Sequence, residues 1–207
     1  GEFALHSGPD HHQLRHGAGH VDFADHAGTV GRPLDCMEAE VRDDTGTVLD
    51  HGQAGELWLR GSLVTTGYAG DEPATAAAIV DGWFDTGDIA RMCDHGFVTI
   101  LDRSKDMINR GGTKVFSAEL EELLRRHPAI EDAAVVGIPD SLGGEAIAAY
   151  VVALGQITAR EVRAWVREGM ADYAVPKLVE VLESLPRNAV GKTDKQELRA
   201  RVRREVS

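Results

Sequence analysis

The chain has 207 residues and a formal net charge of −12, from 22 Lys and Arg against 34 Asp and Glu. That balance argues against a nucleic-acid partner, since phosphate contacts need a basic patch, and the arginines near the end (Arg199, Arg201, Arg203, Arg204) are interspersed with Glu197 and Glu205. No apolar run reaches the length of a membrane span, Cys36 and Cys93 are lone thiols far apart, and cytoplasm is the expected compartment.

The first 27 residues are rich in histidine. His12, His16 and His20 recur at the spacing of one helix face, but Gly17 and Gly19 interrupt such a helix, so an irregular segment is expected there and no metal site. Gly1-Glu2-Phe3 reads as a cloning scar, and an expression fragment or split subunit is expected. Residues 38–100 alternate short apolar runs with turns, which predicts a hairpin-rich β unit: Glu38–Arg42, a turn at Asp43–Thr47, Gly55–Arg60 and Phe97–Leu101. One helix is predicted at Glu72–Val80, opened by Pro73.

Beyond Arg103 the pattern changes. Ser117 is the expected N-cap of a helix over Ala118–Arg126, and strands are expected at Ala133–Ile138 and Ala146–Leu154. Thr158 and Glu161 form a capping box for a helix to about Met170. A strand at Lys177–Leu182 follows, then a last helix over Asp194–Arg203 that Thr193 can cap. Together these predict an α+β chain: a β-rich part over 1–102 and a small mixed α+β domain over 103–207.

Three motifs carry chemistry. In Gly82-Trp83-Phe84-Asp85-Thr86-Gly87-Asp88, the Asp88 carboxylate is expected on a tight loop at a strand edge, where it could accept from a vicinal diol or serve an ordinary Asx turn. The run Asp102-Arg103-Ser104-Lys105-Asp106 leads to Asn109-Arg110-Gly111-Gly112, a diglycine that suits close approach of backbone to a ligand and suits a hairpin equally. Near the end, Pro186 and Gly191 punctuate a loop that presents Lys192 as a mobile ammonium. Each motif alone is ambiguous.

In this order, with Glu119-Leu120-Glu121 between the diglycine and the Lys192 loop, and with Gly55-Glu56-Leu57-Trp58-Leu59-Arg60-Gly61 and Gly67-Tyr68 upstream, the motifs resemble the adenylate-forming superfamily of acyl-CoA synthetases, adenylation domains and luciferases. The resemblance covers roughly residues 28–203 and begins at Gly28-Thr29-Val30-Gly31-Arg32-Pro33-Leu34, which in that family lies late in the large N-terminal domain. The family's Ser-, Thr- and Gly-rich phosphate loop is not in this sequence. The resemblance therefore implies the C-terminal portion of a fatty-acyl- or aryl-acid–CoA ligase, inactive without the N-terminal part of the enzyme.

It also implies roles. The carboxylic acid attacks ATP, taken with Mg2+, to give acyl-AMP, and a thiol then displaces AMP. Lys192 is implied as the catalytic cation, Asp88 and Arg103 as ATP and AMP ligands, and Lys105 as the hinge about which the small domain turns between steps. Asn109, Arg110, Gly111 and Gly112 are implied in the channel for CoA. Asp102 stands where many relatives of the family have glycine, and the resemblance implies acyl- and aryl-CoA ligases, which often carry Asp there. A carrier protein in trans is the alternative acceptor. A non-enzymatic C-terminal module, with Lys192 an acetylation target, is the alternative of another class.

Overall fold

The computed structural model describes residues 26–140 and 144–205; the early histidines at 6–20 and the first three residues lie outside them. The chain divides into two compact units, one through Ser104 and one from Lys105. Four helices and ten strands in the described residues make it a mixed α+β protein.

The first unit is built on one antiparallel sheet. Strands β1 (Met37–Arg42), β2 (Ala54–Gly61) and β4 (Trp83–Met92) pair in that order, and β4 also pairs with β3 (Ile79–Val80) and β5 (Val98–Arg103). Only its length lets β4 do this: its first residues face β3 and its second half faces β5. Leu57, Leu59, Ala90 and Val98 form the apolar cluster of this sheet. Helix α1 (Glu72–Ala78) starts at Asp71, whose carboxylate accepts from Ala74 N, with Pro73 in the first turn.

Strand β4 was not legible in the sequence. Its middle contains Asp85, Thr86, Gly87 and Asp88, which read as turn residues and not as strand formers. The structure instead holds Asp88 within the strand, at a bulge. On β2, Glu56 pairs with Ile89 and Trp58 with Asp85, so Leu57 alone lies opposite the three residues Thr86-Gly87-Asp88. Gly87 supplies the left-handed backbone, φ +68°, that this arch requires.

The second unit is a three-stranded sheet of order β10-β9-β8, from β8 (Ile130–Pro139), β9 (Glu145–Ala153) and β10 (Leu178–Leu182). β8 and β9 run antiparallel, whereas β10 lies parallel to β9 and is reached through α3 (Ala159–Gly169). Both faces are covered. Ala133 and Val135 point to one side, where Leu120 and Leu124 of α2 (Ser117–Arg125) and Val162 and Val166 of α3 close the core. Ala134, Val136 and Tyr150 point to the other, against Leu185 after β10 and against Leu198, which belongs to α4 (Lys195–Glu205). Burial on both faces explains why β8 and β9 read as continuous apolar runs. Each fully buried Leu here contributes about 1.5–3 kcal/mol. A short hairpin, β6 (Ile108–Arg110) and β7 (Thr113–Val115), adds Ile108 and Val115 to the first core.

The capping box of α3 is as expected: Thr158 Oγ1 accepts from Glu161 N, and Thr158 N donates to Glu161 Oε2 at 2.8 Å. Two other caps differ. Ser117 is the first residue of α2, not its cap, and its hydroxyl accepts from Lys195 Nζ at 2.8 Å. Asp194, not Thr193, caps α4, its carboxylate accepting from Gln196 N and Glu197 N at 3.0 Å. Within Asp102–Asp106, Arg103 and Lys105 are exposed, whereas Asp102 is buried and Asp106 is held by Arg199 at 2.8 Å.

Candidate functional site

Asp88 and Arg103 are partners in the β4–β5 register, so their side chains share a face. Arg103 Nη1 donates to Asp88 Oδ1 at 2.6 Å and to the Thr86 carbonyl at 3.2 Å. The arch is locked beneath them. Thr86 Oγ1 donates to Leu57 O at 2.9 Å in the core and accepts from Asp88 N at 3.1 Å, while Asp85 Oδ1 accepts from Gly87 N at 2.8 Å. The Arg103 guanidinium is half exposed and the Asp88 carboxylate largely covered. An ionised carboxylate offers about four lone-pair positions, so one bond to Arg103 leaves acceptors for a diol. A fixed carboxylate beside a fixed guanidinium is a fitting receptor for a ribose phosphate.

In the second unit Lys192 is exposed, and its ammonium has no partner among the described residues. The turn beneath it is closed locally by one side chain. Asn188 Oδ1 accepts from Val190 N at 3.1 Å and from Lys192 N at 3.0 Å, and Asn188 N donates to Lys192 O at 2.8 Å. Gly191 at φ +80° closes the turn. The result is an exposed cation on a hydrogen-bonded turn.

Lys105 is the first residue of the second unit and lies in the short 3-10 turn Ser104–Asp106. Its carbonyl accepts from Arg199 at 3.3 Å. The diglycine is the two-residue turn of the β6–β7 hairpin, with φ +60° and +91°, the mirror-image turn that two-residue hairpins prefer. Asn109 stiffens it, its Oδ1 accepting from Gly112 N and its N donating to Glu145 Oε2, both at 2.8 Å.

Arg110 turns the other way and lines a recess of about 400 Å³ with Arg163, Arg167, Asp172 and Lys177. Two of its cations are held by neutral acceptors: Arg163 donates to Pro176 O and Lys177 O at 2.9 and 2.8 Å, and Arg110 to Tyr173 O and Val175 O. Main-chain carbonyls orient these guanidinium groups without cancelling their charge. Lys177 is paired with Asp140 at 2.8 Å. In a chain of net charge −12 this is a local excess of positive charge. Sequence reasoning missed it, although Arg163 and Arg167 stand one turn apart on α3.

Comparison with known proteins places the chain in a family. The model of the AMP-binding enzyme family matches residues 15–69, and that of the AMP-binding enzyme C-terminal domain matches residues 119–192. The long-chain-fatty-acid–CoA ligase of Yersinia pestis is 39% identical over 179 residues, covering 86% of this chain and 32% of the relative. The o-succinylbenzoate–CoA synthetase of Bacillus subtilis, solved with its acyl-adenylate intermediate, superposes with a TM-score of 0.80 at 34% identity, over 85% of this chain and 36% of that one. An amide bond synthetase of Marinactinospora thermotolerans superposes with a TM-score of 0.79 at 38% identity, over 84% and 36%. The chain thus spans about a third of the length of the curated relatives it matches. With both family segments, this identity and this fold, the chain belongs to the adenylate-forming superfamily of AMP-binding enzymes.

Proposed function

We propose that this chain carries the C-terminal domain, and the end of the domain before it, of an AMP-forming ligase that joins a carboxylic acid to a thiol. The observation that carries the reading is the Asp88–Arg103 pair, a carboxylate and a guanidinium 2.6 Å apart on a locked bulge. Asp88 accepts from the ribose hydroxyls of ATP, and Arg103 holds the ribose and phosphate side. Lys192 is the cation that meets charge developing on the α-phosphate as the acid attacks. Mg2+ enters with ATP, as part of the substrate. Once acyl-AMP has formed, Lys192 has no further role, and the small domain turns about Lys105 to bring the Asn109–Gly112 hairpin to the thiol.

The cationic recess favours CoA as the acceptor, since a free nucleotide thiol brings phosphates that Arg110, Arg163 and Arg167 can meet. Loading a carrier protein in trans is the second reading. The acid belongs to the fatty-acyl and aryl class, with fatty-acid metabolism as its setting and cytoplasm as the compartment; no described helix is long and apolar enough to cross a membrane.

The test is a chimera in which residues 28–203 replace the aligned part of the Yersinia pestis ligase. Acid-dependent ATP–pyrophosphate exchange by the chimera, lost in its Asp88→Ala form, is the expected result. A well-folded chimera whose exchange is indifferent to Asp88→Ala and Lys192→Ala overturns the proposal.

A further inference from the structure

Both stems of the Lys192 loop end in the same line of charges. On the far stem, Lys195 donates to Glu121 Oε1 at 2.7 Å and to Ser117 Oγ at 2.8 Å. On the near stem, Arg187 donates to Asp132 Oδ2 at 2.8 Å. Arg125 joins the two, pairing with Glu121 Oε2 at 3.2 Å and with Asp132 Oδ1 at 3.3 Å. The stems also meet directly, as Arg187 bridges Thr193 and Asp194 N donates to Pro186 O at 2.8 Å. Five side chains of alternating sign, Lys195–Glu121–Arg125–Asp132–Arg187, therefore close a ring of which the loop is one side.

The two ends of this line differ in physics. Glu121 Oε1 also accepts from Val135 N at 2.9 Å, in the middle of β8, so the carboxylate is fixed to the core strand. Lys195 and Glu121 keep only 17% and 11% of their side-chain surface exposed, so water and salt screen their pairing poorly. Arg187 and Arg125 are 51% and 43% exposed, and their bonds to Asp132 are open to screening. The apolar clusters that hold the sheet include none of the five.

We infer that Glu121 is a positioning residue for Lys192, acting through Lys195, with Arg125 transmitting the constraint to the opposite stem; this rests on Lys192 being the adenylation cation proposed above. A lysine side chain is long and flexible. A preorganised cation therefore requires that its backbone be fixed, and a solvent-exposed loop cannot supply this from packing. Glu121 supplies it from helix α2, two residues after the start of the matched C-terminal segment, and Lys192 is the last residue of that segment.

The test uses 15N relaxation on the 207-residue chain. Glu121→Gln keeps an acceptor for Val135 N and removes the charge. Order parameters at Gly191 and Lys192 are expected to fall from about 0.85 to below about 0.6, with Ala133–Ile138 unchanged. Lys195→Met is expected to do the same, and the double variant no more. Arg125→Met, which leaves Glu121 on β8, is expected to loosen Arg187–Val190 only, and raised salt is expected to do the same in the parent chain. An unchanged loop in Glu121→Gln and Lys195→Met overturns the inference, as does loosening of β8 together with the loop. In the chimera, Glu121→Gln is expected to lower kcat for acid-dependent exchange about tenfold at unchanged KM for ATP, and to spare thioester formation from added acyl-adenylate. If the loop loosens while exchange ignores both Glu121→Gln and Lys192→Ala, the clamp stands and the adenylation role falls.

Discussion

Arg103 Nη1 lies 2.6 Å from Asp88 Oδ1, across a pair of strands whose register sets the two residues opposite each other. The pair depends on the arch at Thr86-Gly87-Asp88, which Thr86 fastens to Leu57. A ligand that takes up the remaining acceptors of Asp88 meets a carboxylate already oriented.

Removing that carboxylate is therefore expected to weaken nucleotide handling without unfolding the sheet. In the chimera, Asp88→Ala should raise KM for ATP roughly ten- to a hundredfold, the range of a hydrogen bond to a charged group at about 1.5–3 kcal/mol. Circular dichroism should be unchanged. Asp88→Asn should fall nearly as far, since its amide offers one acceptor atom and no charge to Arg103.

Lys192→Ala separates the two half-reactions. Loss of one preorganised charge at the phosphoryl centre is expected to cost about 3–4 kcal/mol, roughly a hundred- to a thousandfold in acid-dependent exchange. AMP release from added acyl-adenylate and CoA should survive. Exchange persisting at the parent rate would falsify the assignment and leave Lys192 a solvated loop residue.

The recess of Arg110, Arg163 and Arg167 is expected to read the acceptor. Arg167→Glu reverses one charge and should raise KM for CoA about tenfold, more at low salt than at high, because an exposed site is screened. Pantetheine, which lacks the nucleotide, should be insensitive to the change. Equal effects on CoA and pantetheine would remove the recess from the acceptor path.

The β6–β7 turn tests backbone physics. Gly111 is at φ +60° with open space where a methyl group would stand, so Gly111→Ala meets no clash and costs only the left-handed backbone. A loss of about 1–2 kcal/mol is expected in urea unfolding of the chain.

The α3 cap adds a pH dependence. Hydrogen bonds from Thr158 hold the Glu161 carboxyl below its ordinary value. A depressed folded pKa means that its contribution is present above the unfolded pKa and is lost as pH falls through the folded one. Thr158→Ala should therefore be less stable than the parent at neutral pH, with the gap narrowing in acid. A gap that widens in acid would contradict this.

Sequence alone determined what local chemistry controls. Thr158 and Glu161 specify their helix start because both hydrogen bonds lie within three residues, and the apolar runs at Ala133–Ile138 and Ala146–Leu154 specify strands buried on both faces. The motif order identified the superfamily for the same reason, since each motif is read along the chain. Tertiary structure decided the rest. Asp85–Asp88 has turn composition, and it lies in a strand only because Trp58 of β2 and Arg103 of β5, both distant along the chain, supply partners. Ser117 falls one residue inside its helix, and its hydroxyl meets Lys195, 78 residues on. The cationic recess joins Arg163 and Arg167 of α3 to Arg110 of β6, and the ring joins Glu121 and Arg125 of α2 to Asp132, Arg187 and Lys195; one-turn spacing shows each helical pair, but nothing along the chain shows the partners it meets.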